Sequence, residues 1–319
     1  MKSQPLHILV TGGAGFVGSH VVDEYHRMGH RVTVVDNLST GRMANLNARA
    51  QFFPADIRSA SLETIFQQGR FDIVNHHAAH IDLRRSVADP WHDAEVNILG
   101  TLNLLECARR FGVKRVIFAS TGGAFYGDGV PYPTPESHAA RPLSPYGVAK
   151  LTVEHYLRYY QGVHNLCSVV LRYANVYGPR QDPYGEAGVV AIFIERLLKG
   201  DPPVIHGDGH QTRDFVFVGD VVRANLLALD YLKEDSVDSD ALVVNIGTGQ
   251  ELSVNGLFHR LKTFQPSAPE PIYGPRKSGE QRRSAIDPSY AKRTLGWEAL
   301  VPLEEGLRKT WDWFKERSG

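Results

Sequence analysis

The sequence predicts a doubly wound α/β fold with a parallel sheet and a smaller C-terminal lobe. In the first half, short β-rich runs without polar alternation alternate with helical patterns, which is typical of parallel strands buried on both faces. After about Gly178 this rhythm breaks, and Gly- and Pro-rich segments precede a mixture of short strands and helices. We therefore expect a strand-and-helix domain over residues 1–177. A lobe over residues 178–319 would be interleaved with late strands of the sheet.

The expected elements follow one another in a regular order. The strands are LHILVT (6–11), RVTVVD (31–36), QFFPAD (51–56), FDIVNHHAA (71–79), RVIFAS (115–120) and CSVVLRYANV (167–176). The helices between them cover residues 16–29, 61–69, 91–112 and 144–162. Strands alternating with helices of this length indicate a parallel sheet with crossover helices.

Composition excludes several classes of protein. Of 319 residues, 42% are hydrophobic and 22% are charged, with 35 acidic and 35 basic residues, so no net charge favours nucleic acid or an anionic membrane. No apolar run has the ~18 residues of a membrane span, and the N-terminus leads directly into a strand. Cys107 and Cys167 lie in apolar settings, which favours two reduced thiols and a cytoplasmic protein.

A glycine-rich turn joins the first expected strand to the first helix. Gly13, Gly15 and Gly18 fit the pattern G-x-G-x-x-G, and Gly12, Gly15 and Gly18 fit the pattern G-x-x-G-x-x-G. Such a turn lets the backbone approach a pyrophosphate, which binds at the helix N-terminus. The predicted dinucleotide contacts are Gly12, Gly15, Phe16, Val17 and Gly18.

Acidic residues at strand ends extend this site. Asp36 ends the second strand, where a carboxylate can bind both ribose hydroxyls and repel a 2′-phosphate. This favours NAD over NADP, although the nearby Arg42 argues the other way. Asn37 follows Asp36, and Asp56 with Ile57, closing the third strand, would flank the adenine; an ordinary strand-end role for Asp56 remains open.

Tyr146 and Lys150 form a candidate catalytic pair. They lie four residues apart at the start of a helix and therefore share one face. A tyrosine has a pKa of about 10, too high for a base at neutral pH. A lysine ammonium and an oxidised nicotinamide nearby would favour the phenolate and lower that pKa.

The joint motifs are similar to those of one known family. GGAGFVG, Asp36, STGGAFYG, the Y-x-x-x-K pair, RYANVYGPRQDPYGEAGVVAIF and RDFVFVGDVVRA resemble the extended short-chain dehydrogenase/reductases, especially the UDP-galactose 4-epimerases. The resemblance covers essentially the whole chain. It implies a Rossmann domain that carries the catalytic helix.

The resemblance further implies a bound NAD and a UDP-hexose substrate. Tyr146 would take the proton from the sugar 4-hydroxyl while C4 delivers hydride to NAD. The 4-keto sugar would then turn over, and hydride would return to its other face. Lys150 would hold the nicotinamide ribose, and Ala78 and Tyr173 would contact the cofactor.

The family's third catalytic group, a Ser or Thr hydroxyl on the fifth strand end, is displaced in this chain. Counting back from Tyr126, the usual position is Gly122, and Thr121 comes one residue earlier. A one-residue shift turns a side chain to the opposite face, although paired glycines permit irregular backbone that re-aims it. We predict Thr121, with Ser120 or a water as alternatives. Gly122 and Gly123 also lack the Asp-Glu pair of related dehydratases, so dehydration is not expected.

Further matches concern the nucleotide sugar. Asn175 and Arg213 match residues that bind the diphosphate, a task that suits the planar guanidinium. The alternative for Arg213 is an ion pair with Asp214. Val189 and Val190 would begin the helix that packs on the uridine.

The segment PRKSGEQRRS departs from the family pattern. Lys277 and Glu280 replace the usual Arg and Asp, so either Arg276 or Lys277 would contact phosphate. Ser284 stands where a bulky residue restricts the pocket beside the sugar 2-position. Because serine is small, we expect activity on UDP-GlcNAc or UDP-GalNAc besides UDP-glucose.

Three histidines, His76, His77 and His80, follow the fourth strand. On a strand the first and third would face one side and the second the other. No acidic or Cys partners cluster nearby, so we expect a cofactor-lining loop and no metal site. Ile81 replaces a lysine that often contacts the cofactor in this loop.

The resemblance also implies a homodimer, formed by helices at about 92–110 and 146–161. The apolar faces of these helices permit this, but core packing explains them equally well (Leu99, Leu102, Leu105, Val153, Leu157). Two other functions remain open: a UDP-glucuronate 4-epimerase or decarboxylase, and an NAD-binding sensor without turnover. The intact Tyr146–Lys150 pair argues against the sensor.

Overall fold

The structure, a computed structural model, describes residues 4–184, 188–233, 240–276 and 281–317. The chain forms two compact units. Unit 1 consists of Met1–Thr121, Ser144–Arg172 and Val222–Val244, and unit 2 of Gly122–Leu143, Tyr173–Val221 and Asn245–Gly319. In this described part of the chain, no helix is both long and apolar enough to cross a bilayer.

The strands are β1 (His7–Thr11), β2 (Arg31–Asp36), β3 (Gln51–Pro54), β4 (Ile73–His76), β5 (Arg115–Thr121), β6 (Cys167–Tyr173), β7 (Asn175–Tyr177), β8 (Val204–His206), β9 (Thr212–Arg213), β10 (Phe215–Phe217), β11 (Leu242–Ile246), β12 (Leu252–Ser253) and β13 (Ile272–Gly274). The helices are α1 (Phe16–Arg27), α2 (Ser61–Gly69), α3 (Leu83–Ala88), α4 (Pro90–Ala94), α5 (Gly100–Arg110), α6 (Pro145–His164), α7 (Val189–Lys199), α8 (Val218–Tyr231), α9 (Val254–Lys262), α10 (Ser289–Leu295) and α11 (Leu303–Lys315). A short 3₁₀ turn covers Met43–Asn45, and a π-helical segment covers Glu95–Leu99.

The main sheet has seven strands in the order β11-β6-β5-β4-β1-β2-β3. The pairs β1–β2, β1–β4, β2–β3 and β4–β5 are parallel. The predicted doubly wound α/β fold is therefore confirmed. The chain moves outward from β1 in both directions, so β1 and β4 flank the topological switch point, outside whose carboxyl ends such sheets bind ligands.

Two expected elements are divided in the structure. The helix expected over 91–112 is α4, the π-helical segment and α5 in succession. The segment contains the buried Asn97, whose carbonyl accepts a hydrogen bond from the Thr101 hydroxyl at 2.8 Å. A π-segment is a single wider turn within a longer helix, and the helical pattern of the whole stretch does not mark where it lies. The strand expected over 167–176 is likewise divided into β6 and β7.

Unit 1 has a continuous apolar core between its helices and strands. Leu9, Val35, Val74 and Val116 from the sheet pack with helix residues (Leu62, Phe66, Leu104, Leu105, Val153, Leu157). Helix α6 begins where Ser144 caps it, since its hydroxyl accepts a hydrogen bond from the Gly147 amide at 3.2 Å, and Pro145 occupies the first turn. This start places Tyr146 and Lys150 in the first two turns.

Unit 2 is built from short paired strands and a second core. β7 pairs with β10 and β8 with β13 in parallel, whereas β9 pairs with β12 antiparallel. α7 packs on α9 and α11 around a second apolar cluster (Phe193, Ile194, Leu197, Phe258, Leu261, Trp311). These elements hold β7, β9 and the start of α7, where the predicted substrate residues lie.

Candidate active site

The glycine-rich turn of unit 1 is folded tightly. Gly12 has a left-handed φ of +71°, and its amide donates to the Val35 carbonyl at 2.8 Å. A Cβ on Gly12 would lie 2.6 Å from the Ala78 amide nitrogen, and one on Gly18 would lie 2.3 Å from the Gly12 carbonyl oxygen. Glycine is therefore required at both positions. α1 begins at Phe16, and within the described residues no side chain caps it, so its first N–H groups can bind an anion.

Asp36 lies beside this turn at the end of β2. It is 7% exposed, and its carboxylate accepts hydrogen bonds from the amides of Ala14 at 2.9 Å and Leu38 at 2.8 Å. Burial raises the pKa of Asp36, and these two amides oppose that shift. The turn and the carboxylate thus have the arrangement expected for a pyrophosphate and a ribose.

Asp56 makes a local ion pair. The Arg58 guanidinium donates two hydrogen bonds to it, each 2.9 Å, and lowers the pKa of this carboxyl. The Asn37 side-chain amide donates to Asp56 at 2.9 Å. β3 ends at Pro54, so Asp56 lies beyond the strand and does not close it as expected. The Ile57 side chain is buried in the unit 1 core.

The three histidines have separate partners. His76, the last residue of β4, bonds the Thr11 hydroxyl at 2.6 Å and the Thr101 hydroxyl at 2.9 Å. Burial and the Lys150 charge lower the pKa of His77 to about 4. His80 lies in the loop beyond β4, so the expected strand alternation does not apply to it. No three potential metal-ligating side chains cluster in the described part of the chain.

Tyr146 and Lys150 lie together against the end of β5. The Lys150 ammonium donates to the Ala119 carbonyl at 2.8 Å and lies 5.7 Å from the Tyr146 ring centroid. It also lies 4.6 Å from the centroid of the Phe118 ring. Among the described residues, the Tyr146 hydroxyl has no hydrogen-bond partner, so it can bond a substrate oxygen.

The charges around this pair have opposing effects. Burial lowers the pKa of Lys150 to about 8, although the Asp93 and Glu154 carboxylates oppose the shift. Burial, reinforced by Asp93, raises the pKa of Tyr146. The expectation that the lysine ammonium and an oxidised nicotinamide together lower the tyrosine pKa stays a prediction, because the protein residues by themselves raise it. A lowered value requires a further cation beside the phenol.

The two hydroxyls at the end of β5 differ in their surroundings. Ser120 is buried and donates to a Glu154 carboxylate oxygen at 2.6 Å. Thr121 is half-buried, and its hydroxyl bonds to no other described residue. Since neighbouring strand residues face opposite sides, Ser120 points into the protein and Thr121 is the hydroxyl that remains available.

Gly122, in unit 2, stands at the position usual for the catalytic hydroxyl. Its amide donates to the Tyr173 carbonyl at 2.7 Å, which continues the strand pairing. A Cβ on Gly122 would lie 2.7 Å from Ile286 Cδ1. A serine or threonine at this position would require the Ile286 side chain to shift.

Gly123, Asn175 and Ser284 converge in unit 2. A Cβ on Gly123 would lie 3.4 Å from Asn175 Oδ1 and 4.0 Å from the Ser284 hydroxyl oxygen. Ser284 is buried, and it forms no hydrogen bond with another described residue. Three small or polar groups thus leave room and hydrogen-bonding capacity at this point.

Asp214 and Arg213 each have partners within unit 2. The Asp214 carboxylate accepts from the Thr248 amide at 2.9 Å and the Thr248 hydroxyl at 2.6 Å, and the Asp214 carbonyl accepts from the Asn175 amide at 2.9 Å. The Arg213 guanidinium donates to the Thr212 carbonyl at 2.8 Å.

The remaining predicted substrate residues lie at separate points of unit 2. Val189 and Val190 open α7, where Val190 is buried and Val189 is half-buried. Arg276 is exposed beyond β13. Lys277 and Glu280 lie outside the described residues.

Two polar clusters near the pair were not found from the sequence. Asp93 accepts hydrogen bonds from the Asn97 amide at 2.9 Å and from the His80 ring at 3.3 Å, joining residues from three segments. Glu154 pairs with Arg172 on β6. One signal was available, because Glu154 follows Lys150 by four residues and so shares its helix face.

Known proteins resemble this chain along its whole length. Residues 8–247 match the model of the NAD dependent epimerase/dehydratase family. The UDP-glucose 4-epimerase of Mycolicibacterium smegmatis is 42% identical over 318 residues, covering 98% of this chain and 100% of that protein. The crystal structure of Thermotoga maritima UDP-glucose 4-epimerase with UDP-glucose is 50% identical, with a TM-score of 0.94 and coverage of 98% and 100%. The Thermus thermophilus UDP-glucose 4-epimerase in complex with NAD is 42% identical, with a TM-score of 0.89 and coverage of 97% and 99%.

Proposed function

The chain belongs to the NAD dependent epimerase/dehydratase family, and on that premise we propose that it is a UDP-hexose 4-epimerase that interconverts UDP-glucose and UDP-galactose. The observation that carries this proposal is the Tyr146–Lys150 pair in unit 1, whose phenol is available to a substrate at the end of β5. A binding protein without turnover has no use for a buried lysine beside an available phenol. Whole-length similarity to UDP-glucose 4-epimerases supports the same reaction.

The residues of unit 1 fit a bound NAD. Gly12 and Gly18 leave space that any Cβ would fill, and the uncapped start of α1, at Phe16 and Val17, suits the pyrophosphate. The buried Asp36 suits the ribose hydroxyls and disfavours a 2′-phosphate. When bound, NAD supplies the hydride acceptor and donor for C4 of the sugar.

The side chains of the protein itself transfer the proton and orient the sugar and the cofactor. Tyr146 takes the proton of the sugar 4-hydroxyl and returns it to the 4-keto oxygen, so one group serves both directions. The Lys150 ammonium stabilises the phenolate and is positioned by the Ala119 carbonyl to hold a ribose hydroxyl. Thr121 donates a hydrogen bond to the 4-oxygen, a role that Ser120 cannot take because Glu154 holds its hydroxyl.

The substrate-binding residues belong mainly to unit 2. Asn175 and Arg213 bind the diphosphate, with Arg276 or Lys277 as a further cationic contact and Glu280 nearby. Val189 and Val190 contact the uridine, and Tyr173 faces the cofactor. We assign nucleotide-sugar binding to unit 2 and dinucleotide binding to unit 1. This assignment rests on the sequence motifs and on the position of Arg213 on β9 and Asn175 on β7, both in unit 2.

The surroundings of Ser284 support a wider substrate range. A buried serine hydroxyl beside Gly123 leaves both space and a hydrogen-bond partner for an N-acetyl group. We infer that UDP-GlcNAc or UDP-GalNAc is epimerised as well. No turnover of either N-acetyl sugar by an enzyme active on UDP-galactose would contradict this inference.

We further infer a cytoplasmic homodimer. Of the predicted interface residues, Leu105, Val153 and Leu157 belong to the unit 1 core, whereas Leu99 is 57% exposed. Other apolar residues are also exposed along α6 (Val148, Tyr159, Val163). Leu99→Glu should convert the dimer to a monomer in light scattering. The two free cysteines are consistent with a reducing compartment.

The direct test is conversion of UDP-galactose by the purified protein. Separation of the two UDP-sugars should show an equilibrium mixture containing UDP-glucose. Denaturing the protein should release NAD. Release of NAD without any conversion would favour an NAD-binding sensor over the epimerase.

A further inference from the structure

A buried ion pair lies one helical turn beyond Lys150 in unit 1. The Arg172 guanidinium donates to both carboxylate oxygens of Glu154, at 2.6 Å and 3.0 Å. The Glu154 and Arg172 side chains are 3% and 7% exposed. Removing two charges from water is expensive, and apolar residues often serve stability as well as such a pair does. Stability therefore gives no sufficient reason for its presence.

The pair is joined to the strand that carries the catalytic end. Ser120 donates to Glu154 Oε1 at 2.6 Å, and Lys150 donates to the carbonyl of the preceding residue, Ala119, at 2.8 Å. Two residues of α6, four apart, thus contact two consecutive residues of β5. Arg172 attaches the same turn of α6 to β6. The helix is held against both strands directly beneath Tyr146 and Lys150.

From this geometry we propose that Glu154 and Arg172 are positioning residues: their ion pair, through Ser120, fixes α6 against β5 and β6 so that Tyr146 and Lys150 meet the reacting sugar. The inference rests on the proposed epimerase function. Neither residue is assigned a contact with the substrate or cofactor, so their effect is exerted through the pair. A small displacement of a catalytic group from its productive position is enough to reduce the reaction rate strongly.

Glu154 also contributes charge at Lys150. The carboxylates of Glu154 on α6 and Asp93 on α4 both raise the pKa of Lys150 and so favour its ammonium form. His76 and His77 at the end of β4 also face Lys150, and burial together with the Lys150 charge keeps both of them neutral. Charged side chains of α3, the π-helical segment and α5 are exposed or partly exposed (Arg84, Arg85, Glu95, Glu106, Arg109, Arg110). Loss of the Glu154 charge should therefore lower the pKa of Lys150.

Two variants separate positioning from stability. Glu154→Gln leaves the Arg172 charge buried without its partner and should lower the melting temperature. Glu154→Gln combined with Arg172→Met removes both charges of the pair and should recover most of that stability. If the pair positions α6, kcat on UDP-galactose falls about tenfold or more in both variants, with KM within about twofold. The control is Glu305→Gln, which removes an exposed pair with Lys309 and should leave kcat unchanged.

A second readout does not depend on turnover. In protein labelled with [ε-¹³C]lysine, NMR titration follows Lys150 directly, and Lys150→Arg identifies its signal. Glu154→Gln keeps the Arg172 charge without its partner and should titrate below wild type, whereas the double variant, which loses both opposite charges, should lie closer to wild type. A purely structural role would predict recovery of kcat with stability in the double variant.

Two results would overturn the proposal. One is a double variant, folded and stable, with wild-type kcat; the other is an unchanged Lys150 titration in Glu154→Gln. If Glu154→Gln does not fold, the double variant alone decides the question. A wild-type protein without epimerase activity would count against the proposed function, whereas the Lys150 titration would still test the effect of the pair.

Discussion

The buried Lys150 should give the reaction an alkaline limit near pH 8. Burial lowers the pKa of this lysine from its ordinary value of 10.5 to about 8. As pH rises through that value the ammonium loses its proton, and the charge that stabilises the Tyr146 phenolate disappears. One unit above the pKa, about one-tenth of the molecules keep the charge. We therefore expect kcat at pH 9 to be about a tenth of its plateau value.

The assay is kcat on UDP-galactose between pH 6 and 10, with the enzyme held stable throughout. Lys150→Arg retains a charge at every pH tested, so its rate should be lower but without the alkaline decline. Lys292→Arg, an exposed residue paired with Glu298, serves as the control and should reproduce the wild-type profile. A wild-type rate that stays constant to pH 10 would refute the reasoning.

Four further substitutions test individual assignments. Thr121→Val removes the proposed hydrogen bond to the 4-oxygen with little change in volume and should lower kcat about a hundredfold. Ser120→Ala removes only the link between Glu154 and β5, so kcat should fall less, about tenfold. Equal losses in the two variants would contradict this assignment. Gly18→Ala puts a Cβ 2.3 Å from the Gly12 carbonyl oxygen, so the purified variant should contain little NAD while circular dichroism shows a folded protein. Wild-type NAD content would be inconsistent with a pyrophosphate at this turn. Ser284→Tyr should lower kcat/KM for UDP-GlcNAc at least about tenfold and spare UDP-glucose; similar losses on both sugars would argue against a specificity role.

Local patterns were sufficient to predict the sheet, the glycine turn and the Tyr146–Lys150 spacing. Each depends on residues close together in the chain, such as the glycines that follow β1. Asp36 was also predictable because its position is set by the length of one βα unit. The predicted third strand was too long. Asp56 directly follows the strand-like run in the sequence, but in the structure it lies beyond β3 and bonds Arg58.

Features that depend on distant residues were not predictable from the sequence. The choice between Ser120 and Thr121 depends on Glu154, thirty-four residues further along the chain. The absence of a side chain at Gly122 depends on Ile286, which no local pattern associates with β5. The raised pKa of Tyr146 depends on burial and on Asp93 rather than on its lysine neighbour. Such effects require knowledge of which elements pack together.

The central claim is that one tightly held NAD and one tyrosine carry out both halves of a 4-epimerisation. UDP-galactose with deuterium at C4 should be incubated with purified protein and no added NAD, and the product should be examined by mass spectrometry and NMR. We expect the UDP-glucose product to retain the deuterium at C4, and we expect no product with Tyr146→Phe. Loss of deuterium to solvent, or conversion at the wild-type rate by Tyr146→Phe, would contradict it.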